Sequence, residues 1–431
     1  MIFFNPVIIS VLVMIILSLL NLNVILAILI AALTAGLSAS IPLKVVMEIL
    51  ISGMGGNSET ALSYVLLGVL AVAISKTGLS DILARKIAKI VKNKKYTLVL
   101  LIAFISCFSQ NLIPVHIAFI PILIPTLLPL MNKLKIDRRA MACALTFGLE
   151  MPYVVLPVGF GLIFHKIIAS QMIDNGINVT TNMVWKVMWV PGIGMLLGLL
   201  SAVFFTYRKK REYRHIDIQK NDEEIKMNKR HYAALIGAIA AFVVQLITKS
   251  LPLGALTGIV VMIITGAIKW NEINSLMDDG IAMMAFIAFV MLVAAGYGNV
   301  LRETGAVETL VHAVSGMMGG SKIISALVML IVGLFVTIGI GTSFGTVPIL
   351  AAIYCPLAAS LGFSIPGTIA LIGTAGALGD AGSPASDSTL GPTSGLNADH
   401  QHNHIWDTCV PTFIHFNIPL IIFGVIAAIV F

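Results

Sequence analysis

The sequence predicts an all-α polytopic membrane protein. It would comprise two inverted-topology repeats, with about ten transmembrane helices of roughly 20 residues each, two re-entrant hairpins and two broken helices. Three observations predict it. The chain is too apolar for a water-soluble core, its Pro and Gly residues recur at one fixed offset, and loops paired by that offset carry opposite charge patterns.

Of 431 residues, 58% are hydrophobic and 11% charged, where soluble domains run near a quarter charged. Apolar stretches fill 4–20, 23–40, 58–77, 96–130, 183–206, 232–248, 254–268, 281–299, 323–357 and 407–431. Two more, 140–170 and 366–390, are broken by Pro, Gly and Ser. Barrel strands alternate with period two, whereas residues 420–431 are continuously apolar. Such runs are helices, because only a helix satisfies its own backbone in lipid.

The formal charge of +7 does not indicate nucleic acid. The basic residues sit in short loops between apolar segments, as in cytoplasmic loops. The first Lys is Lys44, so the start of the chain lacks the basic region of a signal peptide. Cys107, Cys143, Cys355 and Cys409 form no CxxC and read as small buried hydrophobes.

The halves superpose without gaps at an offset of 227 residues. Thr77-Gly78 falls on Thr304-Gly305, Gly53 on Gly280, Pro121 on Pro348, Pro129 on Pro356 and Pro157 on Pro384. Residues 1–206 are the first repeat, 207–231 a charged linker and 232–431 the second repeat. Segment 81–95 carries Arg85, Lys86, Lys89, Lys92, Lys94 and Lys95, while in its counterpart 308–322 Lys322 is the one Lys or Arg. Loop 132–139 carries Lys133, Lys135, Arg138 and Arg139; its counterpart 360–366 has no charge. Equivalent loops therefore lie on opposite sides of a bacterial inner membrane, with the linker cytoplasmic and both termini outside. Inverted repeats of this kind characterise secondary transporters. Leu79 to Lys92 reads as an amphipathic helix on the cytoplasmic surface.

Transport sites sit where helices break near the midplane. Segments 96–130 and 323–357 read as the hairpins, with tips at Ser109-Gln110-Asn111 to His116 and at Gly341 to Thr346. The broken stretches hold Glu150 and Asp380. An ionisable residue at membrane depth costs at least about 2.5 kcal/mol, which makes it a functional candidate. Asp380, Ser383, Ser386, Asp387 and Ser388 are expected on one side of an ion site. Thr342, Ser343 and Thr346 face them, with Glu150 and Asn111 supplied by the first half. Carboxylates among hydroxyls suit a hard cation, with Na⁺ at Asp380 and Asp387. Asp380, Glu150 and His116 are the proton-carrier candidates. His165 and His415 read as core histidines. His400, His402 and His404 read as part of a solvated cytoplasmic loop rather than a metal site.

No nucleotide-binding motif occurs, so the expected energy source is an ion gradient. The coupling ion is Na⁺ or H⁺, with no prosthetic group. Leu378-Gly379-Asp380 is a fragment of the GxGD pattern of intramembrane aspartyl proteases. Ala377 breaks that pattern, and no second membrane Asp follows a Tyr, so this reading is remote.

The runs GTSFGTVPILAAIYCPLAASLG, from Gly341, and GTAGALGDAGSPASDSTLGPTSGLNADHQHNHIWDT, from Gly373, resemble the Na⁺/H⁺ antiporter family of the NhaC type. More narrowly, they resemble the branch that includes proposed histidine permeases. Residues 379–388 are the most specific part. The resemblance implies the ion-transporter superfamily fold, often a homodimer. It implies Na⁺/H⁺ exchange, with cation-coupled amino acid uptake as the alternative. The expected partners are membrane lipid and a small ion or small-molecule substrate.

Overall fold

A computed structural model of the chain describes residues 5–20, 22–79, 82, 94–111, 116–214, 227–306, 309, 321–340, 342–384 and 386–431. Among them every regular element is helical. The first half holds α1 (Pro6–Leu19), α2 (Val24–Ser38), α3 (Leu43–Met54), α4 (Ser58–Lys76), α5 (Lys95–Asn111), α6 (His116–Lys133), α7 (Arg138–Val155), α8 (Phe160–Asp174) and α9 (Thr181–Ser201). After the linker come α10 (Lys229–Thr248), α11 (Leu251–Ile264), α12 (Ile273–Glu303), α13 (Lys322–Ile340), α14 (Ser343–Ser360), α15 (Ile365–Ala377), α16 (Asp387–Leu396) and α17 (His404–Val430). Six helical stretches are long and apolar enough to cross a membrane, and α7 with α8 forms a further pair bent by 46°. The chain is a multi-pass membrane protein.

Both long apolar segments are split, into α5 and α6 and into α13 and α14. Residues 112–115 and 341, where the hairpin tips are expected, lie outside the described residues, as does most of segment 79–92.

The broken stretches break for local reasons. Pro152 sits in the last turn of α7, where it offers no N–H to the ladder. Gly159 then takes φ 59° before α8. Between α15 and α16, Gly379 and Gly382 take φ 82° and 99°, a region that side chains disfavour. At Gly379 a Cβ would also stand 2.8 Å from the Ile338 side chain and 3.0 Å from the Leu334 carbonyl oxygen.

Helix starts recur at the 227-residue offset: Val24 with Leu251, Lys95 with Lys322, His116 with Ser343, Arg138 with Ile365, and Phe160 with Asp387. The stretch from Leu43 to Lys76 and that from Trp270 to Glu303 match at both ends. These two run antiparallel against each other. Lys76 Nζ meets Asp279 at 2.6 Å, Asn57 donates to the Met291 carbonyl at 3.1 Å, and Asn299 donates to the Ile49 carbonyl at 3.0 Å. Gly68 and Gly280 bring the backbones together, the small-residue packing typical of membrane helices.

Burial separates two groups of helices. In α14, 83% of the apolar window is inside the protein, against 39% in α10 and 39% in α17. Nearly all of α7, α14 and α15 is buried. The outer helices present their apolar side chains to lipid.

At one end of α7 the start of the linker folds over the loop before α17. Arg138 and Asp399 are both buried and pair bidentately at 2.5 Å and 2.5 Å. The guanidinium also donates to the Leu396 carbonyl at 2.9 Å, and the Tyr213 ring covers it at 4.1 Å. Arg211 reaches Asp407 at 2.8 Å. The 397–403 loop is only partly the solvated loop the sequence suggests: His400 and Asn403 are exposed, whereas Asp399 and His402 are buried. Burial disfavours charge on Asp399, yet the Arg138 hydrogen bonds outweigh it and hold the carboxyl below its usual range. Burial pushes His402 down to about 4.

Candidate functional site

The break between α15 and α16 delivers Asp380 to the interior, where it is 7% exposed. Hydroxyls surround its carboxylate. Oδ2 accepts from Tyr153 Oη at 2.5 Å and from Ser343 Oγ at 2.9 Å. Oδ1 accepts from Ser386 Oγ in a short bond and from Ser388 Oγ at 3.4 Å. Ser386 and Ser388 lie 2.8 Å apart, and Ser388 also donates to the Asp380 carbonyl at 3.0 Å. Each hydroxyl is placed by a helix end. Ser343 opens α14, Ser386 caps α16 and accepts from the Ser388 amide, and Tyr153 ends α7.

Tyr153 and Asp380 are equivalent positions at the 227-residue offset. Their direct contact places the carboxylate where the two halves meet. Tyr153 was not singled out from the sequence as a site residue, although its alignment with Asp380 was the available signal. A cluster of rings seals this side. Tyr153 lies 5.2 Å from Phe344 and 5.3 Å from Phe164, and Tyr64 lies 5.2 Å from Phe160.

The remaining candidates distribute as follows. Glu150 is fully buried one turn before Tyr153, and neither carboxyl oxygen has a hydrogen-bond partner. The Ala381 amide stands beside it without hydrogen-bond geometry. Asp387 is the first residue of α16 and is exposed. Ser383 is buried in the break, and its carbonyl accepts from Thr389 Oγ1. Thr342 caps α14 without a side-chain bond, and Thr346 donates back to the Thr342 carbonyl at 2.8 Å. Of the α14 trio, then, only Ser343 touches Asp380. Asn111 ends α5 and His116 begins α6, but their side chains lie outside the described residues. His165 bonds the Val154 carbonyl and His415 the Pro411 carbonyl. His402 bonds Thr408, and His404 bonds Thr393.

Chemically, the site holds a carboxylate and several hydroxyl oxygens at the junction of broken helices. These are hard oxygen donors suited to a small cation or a proton. Among the described residues no cluster of three His, Cys, Asp or Glu is placed to hold a metal ion.

Comparison with known proteins adds the following. Residues 144–425 match a model described as the Na⁺/H⁺ antiporter family, and residues 5–91 match a second model of Na⁺-H⁺ antiporters. An uncharacterized membrane protein of Vibrio parahaemolyticus is 52% identical over 99% of this chain and 100% of its own length. YuiF of Bacillus subtilis, whose name proposes an amino acid transporter, is 50% identical over 99% of this chain and 100% of its own. Among solved structures, the Alcanivorax borkumensis YdaH transporter superposes with TM-score 0.62 at 13% identity, covering 90% of this chain and 88% of that one. Neisseria gonorrhoeae MtrF superposes with TM-score 0.60 at 15% identity, covering 88% of this chain and 83% of that one. At these identities the likeness speaks for the fold alone.

Proposed function

Because this chain belongs to the Na⁺/H⁺ antiporter family and is a secondary transporter, we propose that it exchanges Na⁺ for H⁺ by alternating access, with Asp380 holding one ion or the other. The observation that carries this reading is a shortage of hydrogens. Asp380 Oδ2, Tyr153 Oη and Ser343 Oγ stand 2.5, 2.9 and 2.8 Å from one another. Two hydroxyls supply two hydrogens for three contacts. A proton on Asp380 supplies the third and closes the ring. When that proton leaves, two oxygens face each other with lone pairs only, and a cation beside the carboxylate restores the balance. Proton and cation thus compete for one place.

Glu150 belongs to the same proposal as a second proton carrier. Its buried carboxyl has no hydrogen-bond partner that would compensate a charge. Two inverted repeats, with the linker between them, are also part of the proposal. The recurring helix starts and the antiparallel packing of the two equivalent stretches, 43–76 and 270–303, support it.

A second reading, cation-coupled uptake of an amino acid, is favoured by the name of YuiF. The start of α14 and the Ser386 cap of α16 also offer helix N-termini to a substrate carboxylate. The test is uptake of radiolabelled Na⁺ into proteoliposomes under an imposed outward proton gradient. Wild type should accumulate label and Asp380→Asn should not. Equal uptake by both removes Asp380 from the mechanism.

A further inference from the structure

A polar cavity of about 570 Å³ opens at the end of α12 remote from the linker, lined by Ser52, Gly56, Asp174, Asn299, Arg302 and Glu303 among others. The start of α12 is the linker end, since Arg230 bonds Glu272 just before it. Over 31 residues the helix rises about 46 Å, so the cavity lies on the opposite face. It forms where the paired helices α3 and α12 meet the end of the bent α7–α8 span.

The charges in this cavity do not satisfy one another. Arg302 Nη2 donates to Asn299 Oδ1 at 3.2 Å, but Nη1 is buried without a partner. Asp174 is steadied by Gln171 Nε2 at 3.1 Å. Gln171 is itself buried, and its Oε1 has no partner. The equivalent end of the 43–76 stretch behaves differently. There the counterparts of Glu303 and Ser52 are Lys76 and Asp279, which close on each other at 2.6 Å. One end is self-neutralised, while the other holds a guanidinium and two carboxylates apart across open space. Gly56 and Gly305 keep the wall low. A Cβ at Gly56 would approach only Gln171 and Asp174, at 3.7 and 3.8 Å, and one at Gly305 would meet nothing within 4 Å.

We propose that this cavity is an outer binding site for a zwitterionic α-amino acid. The ligand carboxylate meets the Arg302 guanidinium where it lines the cavity, drawing the buried Nη1 from its unpartnered position, and the ammonium lies between Asp174 and Glu303. A buried guanidinium nitrogen without a partner is costly unless something charged meets it, and Arg binds carboxylates by directed N–H bonds. This inference rests on the amino-acid reading above and gives that reading an entry site.

The test uses the full-length protein in detergent micelles. Each of the twenty L-amino acids is screened at millimolar concentration for a rise in unfolding temperature. The best is then measured in labelled form by equilibrium dialysis, beside its amide and its N-acetyl derivative. At least one amino acid should stabilise the protein. Both derivatives should bind about tenfold more weakly, as should the ligand to Arg302→Gln and to Asp174→Asn, each having lost one charged hydrogen bond. Gly56→Val, which fills the cavity from its wall, should weaken binding even if Arg302→Gln fails to fold. Lys76→Gln, at the self-neutralised equivalent end and outside both sites, should bind within twofold of wild type, and labelled amino acid uptake by Arg302→Gln tells loss of this site from failure of the amino-acid reading. The proposal is overturned if no amino acid stabilises the protein. It is equally overturned if the amide binds as well as the parent, which would mark a plain cation site, or if Gly56→Val binds like wild type.

Discussion

Replacing Asp399 by Asn should be far more damaging than removing both partners of its ion pair. The side chains of Arg138 and Asp399 are 0% and 2% exposed. The guanidinium makes two 2.5 Å bonds to the carboxylate, one at 2.9 Å to the Leu396 carbonyl and one at 3.1 Å to Asn132. Asp399→Asn keeps the shape but leaves a dry positive charge. Breaking a buried pair from one side costs about 3–5 kcal/mol, whereas apolar replacement of both partners is often neutral or stabilising. The pair ties the start of α7, which carries Glu150 and Tyr153, to the end of α16, which begins at the Ser386 cap. Losing it should therefore loosen the site as well as the fold. The assay is the folded fraction after heating in one detergent at one scan rate, because membrane proteins commonly unfold irreversibly. Asp399→Asn should lose stability strongly, while Arg138→Met with Asp399→Leu should fall near wild type. Asp399→Asn surviving heating as well as wild type, or a double variant as unstable as the single one, would refute a buried, closed pair.

Tyr153→Phe removes the 2.5 Å donor to Asp380. A charged hydrogen bond is worth about 1.5–3 kcal/mol, so half-maximal exchange should need at least tenfold more Na⁺, measured in proteoliposomes. His402 is held neutral in the fold, its pKa pushed down to about 4 by burial. The unfolded chain then binds more protons between about 6.5 and 4, so stability should fall as pH drops through that window. His402→Gln should flatten the fall in unfolding temperature recorded against pH. Gly379→Ala forces φ 82° on a side chain that meets Ile338 and Leu334. It should cost several kcal/mol, while Gly176→Ala, at φ 81° in open space, should cost only about 1–2 kcal/mol; comparative thermal unfolding decides.

The breaks were legible because no continuous helix tolerates so many Gly, Ser and Pro residues, and Asp380 was legible because lipid-depth charge is rare. Ser386 and Ser388 followed from the local density of hydroxyls around it, and Ser343 from the second hairpin tip expected at Gly341 to Thr346. Tyr153 was harder to find, since a Tyr in an apolar helix looks like core until the other half brings Asp380 to it. The Arg138–Asp399 pair was illegible for a related reason. Arg138 opens α7 and Asp399 sits in a polar loop 261 residues away, and the two meet only once the chain has folded. The Arg302 cavity likewise depends on three helices distant in sequence. Periodicity and composition report a helix's own environment well, but not which distant helix supplies its partner.

The most direct measurement of the central claim is proton movement in proteoliposomes holding a pH-reporting dye, with Na⁺ added outside, for wild type and Asp380→Asn. The account predicts that Na⁺ drives proton efflux through wild type and none above empty vesicles through the variant. Proton efflux of equal size in both, or Na⁺ without effect on wild type while a labelled amino acid accumulates under an imposed ion gradient, would contradict Na⁺/H⁺ exchange at Asp380.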